Sequence, residues 1–247
     1  MDLFYFLQIL AGIVAVIFVL CPHEWAHAYV ATKCGDGTPK AYGRLTLNPI
    51  KHLDPVGFIC CAIVGFGWAK PVPINPYNFK NYRKGLFMTA VAGVVVNYLI
   101  AFFAFLIFTL LNHFVFNDVI LISEGAIYYS VHDALGYLGF FVCLIFYLIY
   151  AYSLSVFVFN LLPLYPLDGF RVVESFTRQV NPVRRFLREY GQVILIILVV
   201  ESFICDLMVR YGVSWAEYAD ILGYILYFAT DIIGYPIQAA WGWIAGI

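Results

Sequence analysis

The chain has 247 residues, of which 63% are hydrophobic, 19% aromatic and only 12% charged, with a net charge of −1. A soluble globular domain carries roughly 45–50% apolar and about 25% charged residues, so this composition excludes one. It indicates an all-α polytopic membrane protein of about five to six transmembrane helices, with the lipid bilayer as its surroundings and no nucleic-acid partner expected.

The first apolar segment runs from about Leu3 to Thr32, and seventeen of the eighteen residues from Leu3 to Leu20 are apolar or glycine, Gln8 being the exception. It lacks a basic leader and is not a cleavable signal peptide. Near its end stands Cys21-Pro-His-Glu-Trp-Ala-His27. Residues four apart share a helix face, so His23 and His27 can address one ion, with Glu24 beside them as general base toward a metal-bound water. Pro22 removes a backbone donor just before the first histidine and is expected to kink the helix.

Residues 33–55 are polar and turn-rich. Arg44-Leu45-Thr46-Leu47 alternates with period two and reads as a short strand, either an ordinary hairpin or an edge that holds an extended peptide. Residues 56–69 are apolar but too short to span, which suits a re-entrant segment. Lys70-Pro71-Val72-Pro73-Ile74-Asn75-Pro76 must be extended, because its prolines forbid regular helix.

A second span covers about Leu86 to Leu111 and carries Gly93 and Asn97 on one face, a spacing common at helix-packing sites. Asn112 to Asp133 is a loop of 22 residues without Lys or Arg, too short for an inserted domain, with His113 and His132 as interfacial histidines. A third span, about Leu135 to Leu162, ends in Asn160-Leu-Leu-Pro163-Leu-Tyr-Pro166-Leu-Asp168-Gly169. Prolines break the helix at membrane depth, where irregular backbone must line a cavity or be buried. Asp168 in that break is costly unless it meets a cation; capping the next helix is its bland alternative. Two further spans are expected at about Tyr190–Met208 and Tyr218–Ile244; their Glu201 and Asp231 either snorkel, protonate or pair locally, or serve a function. The six cysteines form no CxxC pair and read as small buried hydrophobes.

Of 14 Lys and Arg, eight lie between Lys33 and Lys84 and five between Arg171 and Arg188. The positive-inside rule makes both regions cytoplasmic and the acidic loop external. His27 then lies about six residues, roughly 9 Å of helix, from the cytoplasmic end, and Asp168 follows the third span on the same side. Catalytic zinc takes three protein ligands and leaves one position open, so His23, His27 and Asp168 supply the right number and type of donor for one Zn2+ per chain. Iron or cobalt could occupy the same donors. Glu24 would move the proton during attack on a peptide carbonyl, with Asn97 and Asn160 as candidate donors to the substrate or its oxyanion.

The motifs at 23–27, 93–97 and 160–169, in that order, resemble those of the site-2 protease family of intramembrane zinc metallopeptidases. Gly43-Arg-Leu-Thr-Leu-Asn-Pro49 and Gly67-Trp-Ala-Lys-Pro-Val-Pro-Ile-Asn-Pro76 are similar to its compact prokaryotic branch, without a PDZ or CBS domain. The resemblance covers about residues 1–190, a protease core, and leaves 191–247 as C-terminal transmembrane helices with no separate soluble domain. It implies that His23, His27 and Asp168 bind zinc, that Glu24 is the base, and that transmembrane segments of membrane proteins are the substrates. The composition and the charge asymmetry lead to the expectation of a multi-pass protein of the cell membrane with its active site near the cytoplasmic side. A membrane metal transporter or metal-binding protein would use the same ligands, but would have no use for Glu24 as a base. An inactive relative would not need the intact ligands and base.

Overall fold

The computed structural model describes residues 3–57, 67–123, 126–131, 133–178 and 180–245. Its long helices are α1 (Leu3–Cys34), α4 (Tyr82–Leu110), α5 (Ala134–Leu161), α7 (Pro182–Arg210) and α8 (Ile221–Ala245). Between them lie the short helices α2 (Thr38–Ala41), α3 (Pro49–His52) and α6 (Asp168–Phe176). The Leu3–Cys34, Tyr82–Val115, Ala134–Leu161 and Pro182–Arg210 segments are long and apolar enough to cross a membrane. The segment expected as a fifth span forms the 25-residue helix α8, which is not among these four; Asp231, Pro236 and Gln238 lower its hydropathy. This is an all-α polytopic membrane protein.

Helices α4, α5 and α7 start where a polar side chain satisfies the helix's first free N–H groups. Asn81 accepts from the Lys84 N–H at 3.1 Å, and Asp133 from that of Gly136 at 2.8 Å. Asn181 accepts from Val183 and Arg184, with Pro182 in the first turn. This cap explains why α7 begins eight residues before the expected Tyr190: it forms a basic, solvent-compatible turn ahead of the apolar run. It also carries the helix through the expected boundary at 190.

Helices α1, α4 and α5 pack mutually, α8 packs against α4 and α5, and α6 lies on α4. In α1 the buried residues Ala11, Ala15, Val19, His23, His27 and Ala31 recur every four positions. Small residues let the backbones approach closely, and the histidines continue the same stripe. Against it α4 sets Ala101, Ala104, Phe105 and Phe108, and α5 sets Phe140, Cys143, Leu144 and Leu154. Leu99, Phe103, Leu138, Ile196 and Ile197 face outward, as lipid-facing positions do. Helix α1 continues through Pro22 without an interruption in its helical assignment.

The expected strand at Arg44–Leu47 is not formed. Arg44 turns inward, is buried, and donates to the carbonyls of Lys51 and Lys70, while His52 bonds the Thr46 carbonyl at 2.7 Å. A side chain committed to capping carbonyls overrides the alternation. The β-pairing in this region, among the described residues, is a single bridge between Leu53 and Ala69. Most of the expected re-entrant segment, residues 58–66, lies outside the described residues. The small two-stranded sheet occurs in the 112–133 loop instead, where β1 (Ile120–Ser123) pairs antiparallel with β2 (Ala126–Tyr129). In that loop His113 pairs with Asp118 at 3.2 Å; His132 lies outside the described residues. Glu201 on α7 accepts from the Ile221 N–H at the start of α8 at 3.3 Å, while its other carboxylate oxygen has no hydrogen-bond partner among the described residues.

Behind α1 the chain is fastened by Asp36, whose side chain is fully buried. One carboxylate oxygen accepts from the Thr38 N–H, the Thr38 hydroxyl and the Asn78 amide; the other accepts from the Asn75 N–H at 2.7 Å. These bonds fix the extended 70–76 segment and the following 3-10 turn, Pro76–Asn78, against the end of α1.

Candidate metal centre

Three elements converge. Helix α1 supplies His23 and His27 on its buried stripe, α6 supplies Asp168 at its first position, and α4 closes the back with Gly93. Asp168 reaches the histidines because the chain breaks after α5 and re-enters at Leu164–Leu167, with a cis peptide at Tyr165–Pro166. Gly169 lies against the Leu161 and Leu162 carbonyls, where a side chain would collide with backbone. The proline pair and the glycine together turn the chain back on the end of α5.

The donor atoms face one another at close range. His27 Nε2 lies 3.0 Å and His23 Nε2 3.3 Å from Asp168 Oδ2, and the two Nε2 atoms are 3.0 Å apart. All three residues are buried, with relative exposures of 3, 4 and 7%. His27 Nδ1 donates to the Thr89 carbonyl at 2.7 Å. A carbonyl can only accept, so that nitrogen carries the proton and Nε2 of the neutral ring presents a lone pair. Its lone pair then faces the Asp168 carboxylate oxygen and the Nε2 of His23, whose own tautomer no hydrogen bond among the described residues fixes. A lone pair against a carboxylate oxygen is repulsive unless a metal ion or a proton sits between them. For a tetrahedral ion with bonds of about 2.05 Å the donors would stand roughly 3.3 Å apart, close to the spacing observed. The donor set, two nitrogens and one carboxylate oxygen, fits zinc.

Glu24 is half-buried on the neighbouring face of α1 and lies within electrostatic reach of His27. Its Oε2 accepts from the Val72 N–H at 3.0 Å. Asn97 is fully buried one turn beyond Gly93, and both its amide atoms lack a hydrogen-bond partner among the described residues. Asn160 is turned onto its own helix, its amide nitrogen donating to the Val156 carbonyl at 3.0 Å.

The roles of three participants escaped the reading of the sequence. Gly93 is one: a Cβ there would stand 2.5 Å from His23 Cε1 and from His27 Nε2, so only glycine leaves room for both rings. Its spacing from Asn97 was the available signal. Thr89 acts through a backbone carbonyl, which leaves no mark in sequence. Val72 was legible in principle, because it stands between Pro71 and Pro73 and keeps the N–H that they lack.

Comparison with known proteins gives a consistent result. The sequence profile of Peptidase family M50 matches residues 11–201. A Bacillus subtilis (strain 168) protein named "Putative zinc metalloprotease YwhC" is 37% identical over 201 residues, covering 80% of this chain and 84% of that protein. A Mycolicibacterium smegmatis protein named "Putative zinc metalloprotease Rip2" is 26% identical over 204 residues, covering 79% of this chain and 67% of that one. No solved structure matches the chain.

Proposed function

Starting from the fact that the chain belongs to Peptidase family M50, we propose that it is an intramembrane zinc metalloprotease cutting peptide bonds within transmembrane segments of other membrane proteins. The observation that carries this reading is the group of three buried donors, His23, His27 and Asp168, facing one another with Glu24 beside them. They would hold one zinc ion, with residues 1–190 as the catalytic core and 191–247 as accessory C-terminal helices. When bound, zinc supplies a Lewis acid that activates water and polarises the scissile carbonyl.

The chain's own residues do the rest. Glu24 accepts the proton as water attacks and returns it to the leaving amine. The Val72 N–H holds that carboxylate in place. Asn97, with an unengaged amide, is a donor to the substrate or its oxyanion; Asn160 must first release the Val156 carbonyl to serve. The active site lies near the cytoplasmic side of the cell membrane, at the level set by the basic segments. A helical substrate must unwind there, because its carbonyls are otherwise engaged in the helix. Metal transport would use the same three donors but would leave Glu24 without a role.

The test pairs metal content with cleavage of a reconstituted transmembrane substrate. Glu24→Gln should keep about one zinc per chain and lose cleavage by at least ~100-fold. A variant that cuts as well as wild type refutes the mechanism. Binding of zinc without cleavage by either form, together with ion flux in vesicles, would favour transport.

A further inference from the structure

Beside the metal centre lies a cavity of about 150 Å³ whose lining includes Ile74, Thr89, Arg171, Glu174 and Arg188. A space of that order takes one benzene-sized group, too little for an ordinary small-molecule ligand. Its charge is lopsided. Glu174 is already bound by the buried Arg184, which lies outside the lining. Arg171 is half-buried and Arg188 is exposed, and neither makes an ion pair among the described residues. With Glu174 engaged by Arg184, the lining holds two arginines and no unpaired anion among the described residues, and a half-buried charge such as that of Arg171 is costly without a counter-charge.

Three of its lining residues connect the recess to the neighbourhood of the reacting groups. Thr89 bears the carbonyl that fixes His27. Arg171 lies one turn beyond Asp168 on α6. Ile74 is two residues, roughly 7 Å of extended chain, beyond Val72, whose N–H meets Glu24. A polypeptide lying across Glu24 therefore reaches the recess within two or three residues. We propose that this cavity is a carboxylate-binding subsite, in which Arg171 and Arg188 take an Asp or Glu side chain of the substrate a few residues from the cut bond. It rests on the protease reading and adds to it a preference in substrate sequence. A guanidinium suits this task, since its planar fork matches a carboxylate.

The test uses the full chain in vesicles with a set of transmembrane substrates carrying one Glu, or Gln, at successive positions around the cut. Expected is a preference for Glu over Gln of about tenfold in kcat/KM at one or two positions, the effect of a charge-assisted hydrogen bond. In Arg171→Glu/Arg188→Glu that preference should reverse toward Lys. Equal cleavage of Glu and Gln substrates at every position, with Glu24→Gln inactive, overturns the subsite and leaves the protease reading intact. In parallel, binding of the same peptides to zinc-loaded Glu24→Gln is measured by fluorescence anisotropy. Arginine-dependent preference for the Glu peptide without cleavage by wild type would keep the subsite and overturn the protease reading; equal binding would overturn the subsite. Vesicles with and without phosphatidylglycerol separate the other anion. An arginine-dependent response to that lipid with no response to the peptide's Glu overturns the proposal in favour of a headgroup site.

Discussion

Gly93→Ala should disable the metal centre without touching a ligand. The added methyl would lie 2.5 Å from His23 Cε1 and His27 Nε2, whereas ordinary contact begins at 3.4 Å. The rings or α4 must therefore retreat by about 0.9 Å. Metal–ligand distances tolerate about 0.2 Å, and a misplacement near 1 Å costs roughly 100-fold in rate. Overpacking itself costs about 1–3 kcal/mol, so the variant should still fold. Expected are zinc lost to a mild chelator that wild type resists, and cleavage down by about two orders of magnitude. Gly139→Ala is the control: its methyl would meet the Phe116 ring, also at 2.5 Å, away from the imidazoles. It should lower thermal stability and keep its zinc. The reasoning fails if Gly93→Ala retains zinc and activity, or if Gly139→Ala loses zinc to the same degree.

Two other perturbations address the groups behind the site. Val72→Pro deletes the N–H that holds Glu24 while preserving an extended backbone between two existing prolines; single-turnover cleavage should fall about tenfold at unchanged zinc content, and an unchanged rate would show that this bond does not position the base. Asp36 carries the pH dependence. Burial pushes its carboxyl up, but the bonds from Thr38, Asn78 and Asn75 outweigh burial and hold it below its ordinary value. A folded pKa below the unfolded value of about 3.9 means stabilisation present above that pH and lost as pH falls through the folded value. The protection factor of the Asn75 amide and its neighbours, exchange corrected for its intrinsic pH dependence, should therefore fall under acid. Asp36→Asn should show the low protection already at neutral pH, at a cost of about 1–3 kcal/mol, and with no further loss of protection in acid. Identical exchange in the two proteins would refute the role.

The membrane class, the long helices and the metal motif were legible because each depends on nearby residues. Four-residue spacing puts His23 and His27 on one stripe of α1 whatever packs against it. The end of α5 at Leu161 follows from Pro163, and the helix starts follow from Asn81 and Asp133. Locality is also where the reading failed. Arg44–Leu47 has the alternation of a strand, but Arg44 answers carbonyls 7 and 26 residues away, which no period within four residues can report.

By itself the sequence determined that a helix in a membrane carries two imidazoles and a carboxylate, and that a proline-broken segment carries an aspartate. Only the tertiary structure decided that these groups meet. It brought Asp168 to within 3.0 Å of His27, gave His27 its proton position through the Thr89 carbonyl, and required glycine at position 93. It also brought Arg171 and Arg188 into the lining of one recess. The physical reason is one of range. Helix formation and capping are fixed within a few residues of chain, whereas the packing distance between helices and the partner of a buried lone pair depend on side chains and backbone atoms more than sixty residues apart.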